Sequence, residues 1–198
     1  MIDEKKAIEA SALMGLLGDL KDRVDALETR LDTEVADIRT QLPAERAAIV
    51  LFSGDLDKVL AAFIIATGAA TMGLETTVFF TFWGLTVLKR KRVLKGKNLM
   101  ERMMAVMTPE TSRGLDPSKM AYFGAGAVML RQMMKAKDVA SLEDMVELSR
   151  ECGVRFVACE MSMDVMGVRQ DELRSDAELG GVATFLGEAV NARLALFI

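Results

Sequence analysis

Residues 47–52 read Ala-Ala-Ile-Val-Leu-Phe, an unbroken run of apolar side chains. A strand with one wet face cannot use such a run, whereas a strand buried on both faces can. Ser53-Gly54-Asp55 follows and supplies a turn and a helix N-cap. An alanine- and leucine-rich stretch then has helical character to about Thr71, with Gly73 placed to end it. Thr76–Phe82, TTVFFTF, is the next β-rich run. Strand, helix and strand in that order make a right-handed parallel crossover unit.

The remainder repeats the alternation. Residues 89–140 hold no convincing strand and predict short helices at 98–107, before Pro109, and at about 117–134. Ser141-Leu142-Glu143-Asp144 has the form of a capping box for a helix to Cys152, which Gly153 closes. Val154–Cys159 is a third strand, followed by a short helix at 162–166. Gly180-Gly181 precedes a helix to about Ala192, and Leu194–Ile198 is a last strand. Four strands alternating with helices predict an α/β fold with a mostly parallel sheet covered on both faces.

Residues 8–42 read differently, as one long helix. Leu13, Leu17, Leu20, Val24, Leu27 and Leu31 alternate four- and three-residue steps, the spacing of a coiled-coil seam. Val35, Ile38 and Leu42 continue the stripe after a four-residue step where a three-residue one was due, a stutter that locally unwinds the supercoil. Pro43 ends the helix. The expected division is an amphipathic coiled-coil helix over residues 1–43 and an α/β domain over 44–198, with self-association through residues 8–42 and the domain surface.

Charge and composition narrow the chemistry. The formal net charge is −4 over 198 residues. Residues 1–42, with ten acidic and six basic side chains, carry all of it. A neutral main domain offers no electrostatic footprint for nucleic acid. There is no histidine, which removes Cys-His and Ser-His dyads and histidine-ligated metals within one chain. Two cysteines, Cys152 and Cys159, are too few for a zinc site or a disulfide framework, so neither metal nor cofactor is expected. The N-terminus lacks the basic start and apolar run of a signal peptide, and a reducing cytoplasm is the expected compartment. Val59–Leu74 and Thr76–Leu88 are uncharged for sixteen and thirteen residues. Each is shorter than the ~20 residues of a spanning helix, so no membrane span is expected. The basic run from Lys89 to Lys97 then reads as a solvated loop or a dock for an acidic partner.

In a parallel sheet, working residues gather beyond the carboxyl ends of the strands. Ser53, Gly54 and Asp55, then Trp83 and Gly84, then Cys159, Glu160, Met161 and Ser162 occupy those places. Cys159 is the strong nucleophile among them. Unpaired amides at a helix start stabilise a thiolate, while carboxylates such as Glu160 and Asp164 oppose it. An inert buried cysteine is the alternative. Cys152, at a helix end, reads as core. The strand between the two cysteines spans about 20 Å, too far for a disulfide with its ~7 Å Cα limit. Twelve of the fifteen methionines follow residue 99. They read as adaptable packing, a lid over the Cys159 pocket, or a docking surface.

Together, Phe52-Ser53-Gly54-Asp55-Leu56-Asp57-Lys58, Phe79–Leu85, the methionine-rich middle, Cys159-Glu160-Met161-Ser162-Met163-Asp164-Val165-Met166-Gly167 and Gly180–Leu186 resemble the DsrE/DsrF/DrsH-like family from about residue 46 onward. The resemblance implies a three-layer α/β/α sandwich around a parallel sheet of about five strands, oligomeric assembly, and sulfur relay as a cysteine persulfide. The cysteine of the family's Cys-x-Met-Ser-Met-Asp motif corresponds to Cys159. One departure stands out. Sulfur-relay DsrE subunits carry their working cysteine in an earlier loop, and this chain has no cysteine before position 152.

Three readings follow. The first is a sulfur carrier or sulfurtransferase, with Cys159 accepting sulfane sulfur from rhodanese-like or TusA-like protein partners. The second is an oligomeric binding or scaffold module with an incidental cysteine. The third, a peroxiredoxin-like thiol protein, is weakened by Phe156, which stands where Thr-x-x-Cys places its threonine.

Overall fold

A computed structural model describes residues 2–41, 43–119 and 124–198. Contacts divide the chain into two compact units, Met1–Pro43 and Ala44–Ile198. The first is a single helix, α1 (Ile2–Gln41). Its stripe from Leu17 through Leu20, Val24, Leu27, Leu31 and Val35 to Ile38 is exposed along its length. The side chain of Leu13 and the whole of Leu42, the ends of the expected stripe, lie outside the described residues.

The second unit is a five-stranded sheet in the order β4-β3-β2-β1-β5, parallel at every pairing. Its strands are β1 (Ala44–Leu51), β2 (Glu75–Phe80), β3 (Arg155–Cys159), β4 (Ala177–Gly180) and β5 (Ala192–Phe197). The central three are the apolar runs, and all of Ala47–Leu51 is buried. Strand β4, AELG, was absent from the four expected. It is an edge strand of four residues with two exposed, too short and too polar to show an apolar run. Its neighbour in sequence, α8 (Val182–Ala189), ends three residues short of the expected Ala192, where β5 already begins.

Alternation along the strands assigns each side chain to a face. Ile49, Leu51, Val78, Phe80, Phe156 and Ala158 share the larger core with α2 (Leu56–Thr71) and α6 (Leu142–Glu151). Phe63 of α2 meets Phe80 and Phe156 there, the last edge-on at 5.9 Å between ring centres. The residues between, Phe79, Val157 and Cys159, form a second small cluster with Phe185 of α8. Helix α6 opens with the expected capping box, Ser141 accepting from the Asp144 amide. A second box, Asn98 with Glu101, starts α4 (Leu99–Met107). Helix α5 covers only Ala125–Ala136 of the expected 117–134, and Met120–Phe123 lie outside the described residues.

The basic run meets its expectation only in part: Arg90, Lys91 and Lys95 are exposed, but Lys89 and Lys97 at its two ends are not. After α3 (Leu85–Leu88) the chain pairs Lys89 with Leu173, and the Arg90 amide donates to the Glu172 carbonyl at 2.8 Å. Lys89 and Lys97 are 4% and 5% exposed. The Lys97 ammonium meets the carboxylate of Glu172, which has no exposure at all. A charge run is solvated by default, but here a carboxylate from a distant segment folds over its end and buries Lys97. The methionines divide: Met163 and Met166 are buried and Met134 and Met145 pack against the core, whereas Met100, Met103 and Met107 lie on the exposed side of α4. Among the described residues, no helix is long and apolar enough to cross a membrane.

Candidate functional site

The carboxyl ends of β1, β2 and β3 lie side by side, so the three loops singled out from the sequence share one edge of the sheet. The loops after β1 and β2 are pressed together. The Thr81 amide donates to the Leu51 carbonyl at 3.1 Å, and the Gly84 amide donates to the Phe52 carbonyl at 3.0 Å. A side chain at Gly84 would run into the Leu51 carbonyl, and one at Gly54 would lie 3.0 Å from the Trp83 carbonyl. Phe82, between them, has φ of 47°. That left-handed backbone is costly for a bulky residue and is held here by its surroundings.

These loops bound a cavity of about 680 Å³. Ser53, Gly54, Asp55, Lys58 and Trp83 line it together with Phe52. The Ser53 hydroxyl accepts the Asp55 amide at 3.0 Å. Asp55 stands at the N-cap of α2 but its carboxylate does not cap the helix. It accepts instead from the Lys58 ammonium at 2.6 Å, which holds Lys58 above the usual lysine range.

Cys159 lies at the same edge in a different environment. It is the last residue of β3 and the N-cap of α7 (Glu160–Met166), which starts two residues earlier than expected. Two positions after Val157, its side chain takes the same face, and it is 1% exposed, clustered with Phe79 and Val157 in a group against which Phe185 packs. Phe185 and Phe79 lie 5.5 Å apart between ring centres. Gly180 pairs with Cys159 across β3 and β4. Any side chain at Gly180 would strike Val157 and crowd Thr184, so this glycine lets α8 start close against β3. No residue of α8 is fully buried. Glu160, Met161 and Asp164 face solvent, while Ser162 is buried and shares a 2.6 Å hydrogen bond with Thr81. That bond ties α7 to the end of β2.

The structure thus brings Ser53, Gly54, Asp55 and Trp83 into one cavity, packs Gly84 behind it, and leaves Cys159 outside its lining. Phe79, Gly180 and Phe185 complete the surroundings of Cys159; all three fall in the resembling segments Phe79–Leu85 and Gly180–Leu186, but none was given a place beside the thiol from the sequence. What could have placed them there is the two-residue period of the strands, which puts Phe79, Val157 and Cys159 on one face once the strands are aligned. Both cysteines are free thiols. Among the described residues, no three His, Cys, Asp or Glu side chains converge as metal ligands do. Phe156, in the place of a peroxidatic threonine, is packed into the larger core with no hydroxyl to offer.

The model of the DsrE/DsrF/DrsH-like family matches residues 43–197. The protein YrkE of Bacillus subtilis (strain 168) is 41% identical over 155 residues, covering 78% of this chain and 97% of YrkE. Sulfur carrier protein DsrE2 of Allochromatium vinosum is 35% identical over 158 residues, covering 78% of this chain and 98% of DsrE2. Among solved structures, the YchN protein of E. coli is similar with a TM-score of 0.47 and 13% identity, over 77% of this chain and 98% of YchN. The family match begins where α1 ends and takes in all five strands, all three edge loops and the Cys159 motif; this chain belongs to the DsrE/DsrF/DrsH-like family.

Proposed function

We propose that this protein is a sulfur carrier that holds sulfane sulfur as a persulfide on Cys159. The observation that carries the reading is the 35% identity, over nearly the whole length of the relative, to a protein named as a sulfur carrier. Position supports it: of the two cysteines, Cys159 ends a strand at the sheet's carboxyl edge, whereas Cys152 caps α6 at the opposite end of β3. In loading, the Cys159 thiolate attacks the outer sulfur of a donor persulfide. The new S–S bond forms at Cys159, the donor's S–S bond breaks, and the donor leaves as its thiolate. Delivery runs the same exchange toward an acceptor thiol. Rhodanese-like and TusA-like proteins have the chemistry of such partners.

The burial of Cys159 adds a requirement. Donor sulfur reaches the thiol only if the packing around it opens, and α8, whose Phe185 packs on the same cluster and which has no fully buried residue, is the element we expect to move. The test is intact mass and peptide mapping after incubation with thiosulfate plus rhodanese, or with polysulfide. The expected product carries added sulfur on the Cys159 peptide, lost in Cys159→Ser and kept in Cys152→Ser. A chain that retains no sulfur on Cys159 from either donor overturns the reading.

A second reading is favoured by that same burial: a sealed thiol in apolar surroundings suits an oligomeric scaffold with an incidental cysteine. In either case we read α1 as the self-association element, on the strength of its exposed apolar stripe.

A further inference from the structure

We infer that α1 pairs with α1 of a second copy of the chain, in parallel and in register; this rests on the reading of α1 as a self-association element. Between Leu17 and Leu31 the seam is regular. Leu17, Val24 and Leu31 hold one set of seam positions and Leu20 and Leu27 the other. All five are at least 46% exposed. Leu20 and Leu27 in the second set, with β-branched Val24 at the centre of the first between Leu17 and Leu31, are compatible with two strands.

The flanking charges decide the direction. The residues just before Leu17, Val24 and Leu31 are Leu16, Arg23 and Arg30, so the charges in this column are arginines alone. The residues just after Leu20 and Leu27 are Lys21 and Glu28. In a parallel pair the first column of each helix faces the second column of the other, five residues further on. Arg23 then meets Glu28 of the partner subunit, and twofold symmetry makes that contact twice. Leu16 meets Lys21 of the partner subunit, whose stem can lie over it, and Arg30 meets Val35 of the partner subunit. No like charges meet. In an antiparallel pair each column faces its own counterpart. One seam alignment sets Arg23 against Arg23 and Lys21 against Lys21; the next sets Arg23 against Arg30, which cancels the attraction it gains from Lys21 against Glu28. Among the described residues neither Arg23 nor Glu28 has an ion-pair partner in its own chain, so both are available. A parallel pair also makes the two chains leave the coil at the same end, at Pro43.

The test uses the full chain with Leu27→Cys. Leu27 is a seam residue that meets its own counterpart only in a parallel, in-register pair. Mild oxidation is expected to give a dimer whose mapped disulfide joins the two introduced thiols to each other, without involvement of Cys152 or Cys159. Independently, Arg23→Glu and Glu28→Arg should each weaken association roughly tenfold, as two exposed pairs change from attraction to repulsion, and the double variant should restore it. Trp83 fluorescence, unchanged throughout, verifies that the α/β unit stays folded. A chain that associates through α1 but forms no disulfide between the introduced thiols, and whose double variant is no better than the singles, overturns the parallel arrangement alone. A chain unchanged in size when residues 2–41 are removed overturns the underlying reading of α1 as well.

Discussion

Replacing Lys97 by methionine tests the largest departure from the surface the basic run was expected to form. Lys97 and Glu172 pair with side chains 2% and 0% exposed. Among the described residues, no hydrogen-bond donor other than Lys97 reaches the Glu172 carboxylate. Removing one partner of such a pair leaves a buried charge and costs about 3–5 kcal/mol. Lys89, close enough to act on Glu172 electrostatically, offsets part of this in Lys97→Met and moves it toward the lower bound. Glu172→Leu strands a cation beside a second cation and should lie at the upper one. In a unit of this size each kcal/mol lowers Tm by roughly 2–4 °C, so the single variants should melt about 6–20 °C lower. The double variant, Lys97→Met with Glu172→Leu, removes both charges and should recover most of the loss, because desolvating an ion pair offsets much of its attraction. Urea unfolding followed by Trp83, the one tryptophan, reads all four members of the cycle. Single losses under ~1 kcal/mol, or a double loss equal to their sum, would refute the argument, since either result describes two separately solvated side chains.

Phe185→Ala removes the ring that packs on the Phe79, Val157 and Cys159 cluster. It should ease local opening by about 1–2 kcal/mol and raise the rate of iodoacetamide labelling at Cys159 roughly 5–30-fold, with Cys152 labelling unchanged in the same peptide map. Gly84→Ala forces a methyl into the Leu51 carbonyl and should cost about 2–3 kcal/mol in urea unfolding. Gly181→Ala, at an ordinary φ of −97° with open space around it, should be near neutral. Acid should destabilise the α/β unit through Asp176 and Glu147, both held below their usual range chiefly by hydrogen bonds from Arg174, and through Glu178, held down by Arg155. A depressed carboxylate contributes stability above its unfolded pKa and loses it as pH falls through the folded one. The loss should therefore begin near the ordinary values of 4.5 and 3.8 and continue below them. Arg174→Met should flatten that part of the stability–pH curve, and an unchanged slope would contradict the assignment.

The apolar runs 47–52, 76–82 and 154–159 were legible as strands because a strand buried on both faces has no room for polar residues, and that demand is written locally. The loops that end them, with Ser53, Trp83 and Cys159, followed from the same reading, since a parallel sheet brings its carboxyl ends to one edge. The Ser141 box was equally local. Edge strand β4 was not legible, because an edge accepts four residues of mixed polarity, and its identity lies in its pairing with β3. Nor was the fate of Lys97 legible: a lysine in a basic run is solvated unless a carboxylate is folded over it, and Glu172 lies far along the chain. Cys159 shows the division within one residue. Its place at a strand end is a matter of sequence. Its face of the sheet, its burial with Phe79 and Val157 and its separation from the cavity beside Trp83 depend on how β3, β2 and α8 are stacked, and only long-range packing sets that.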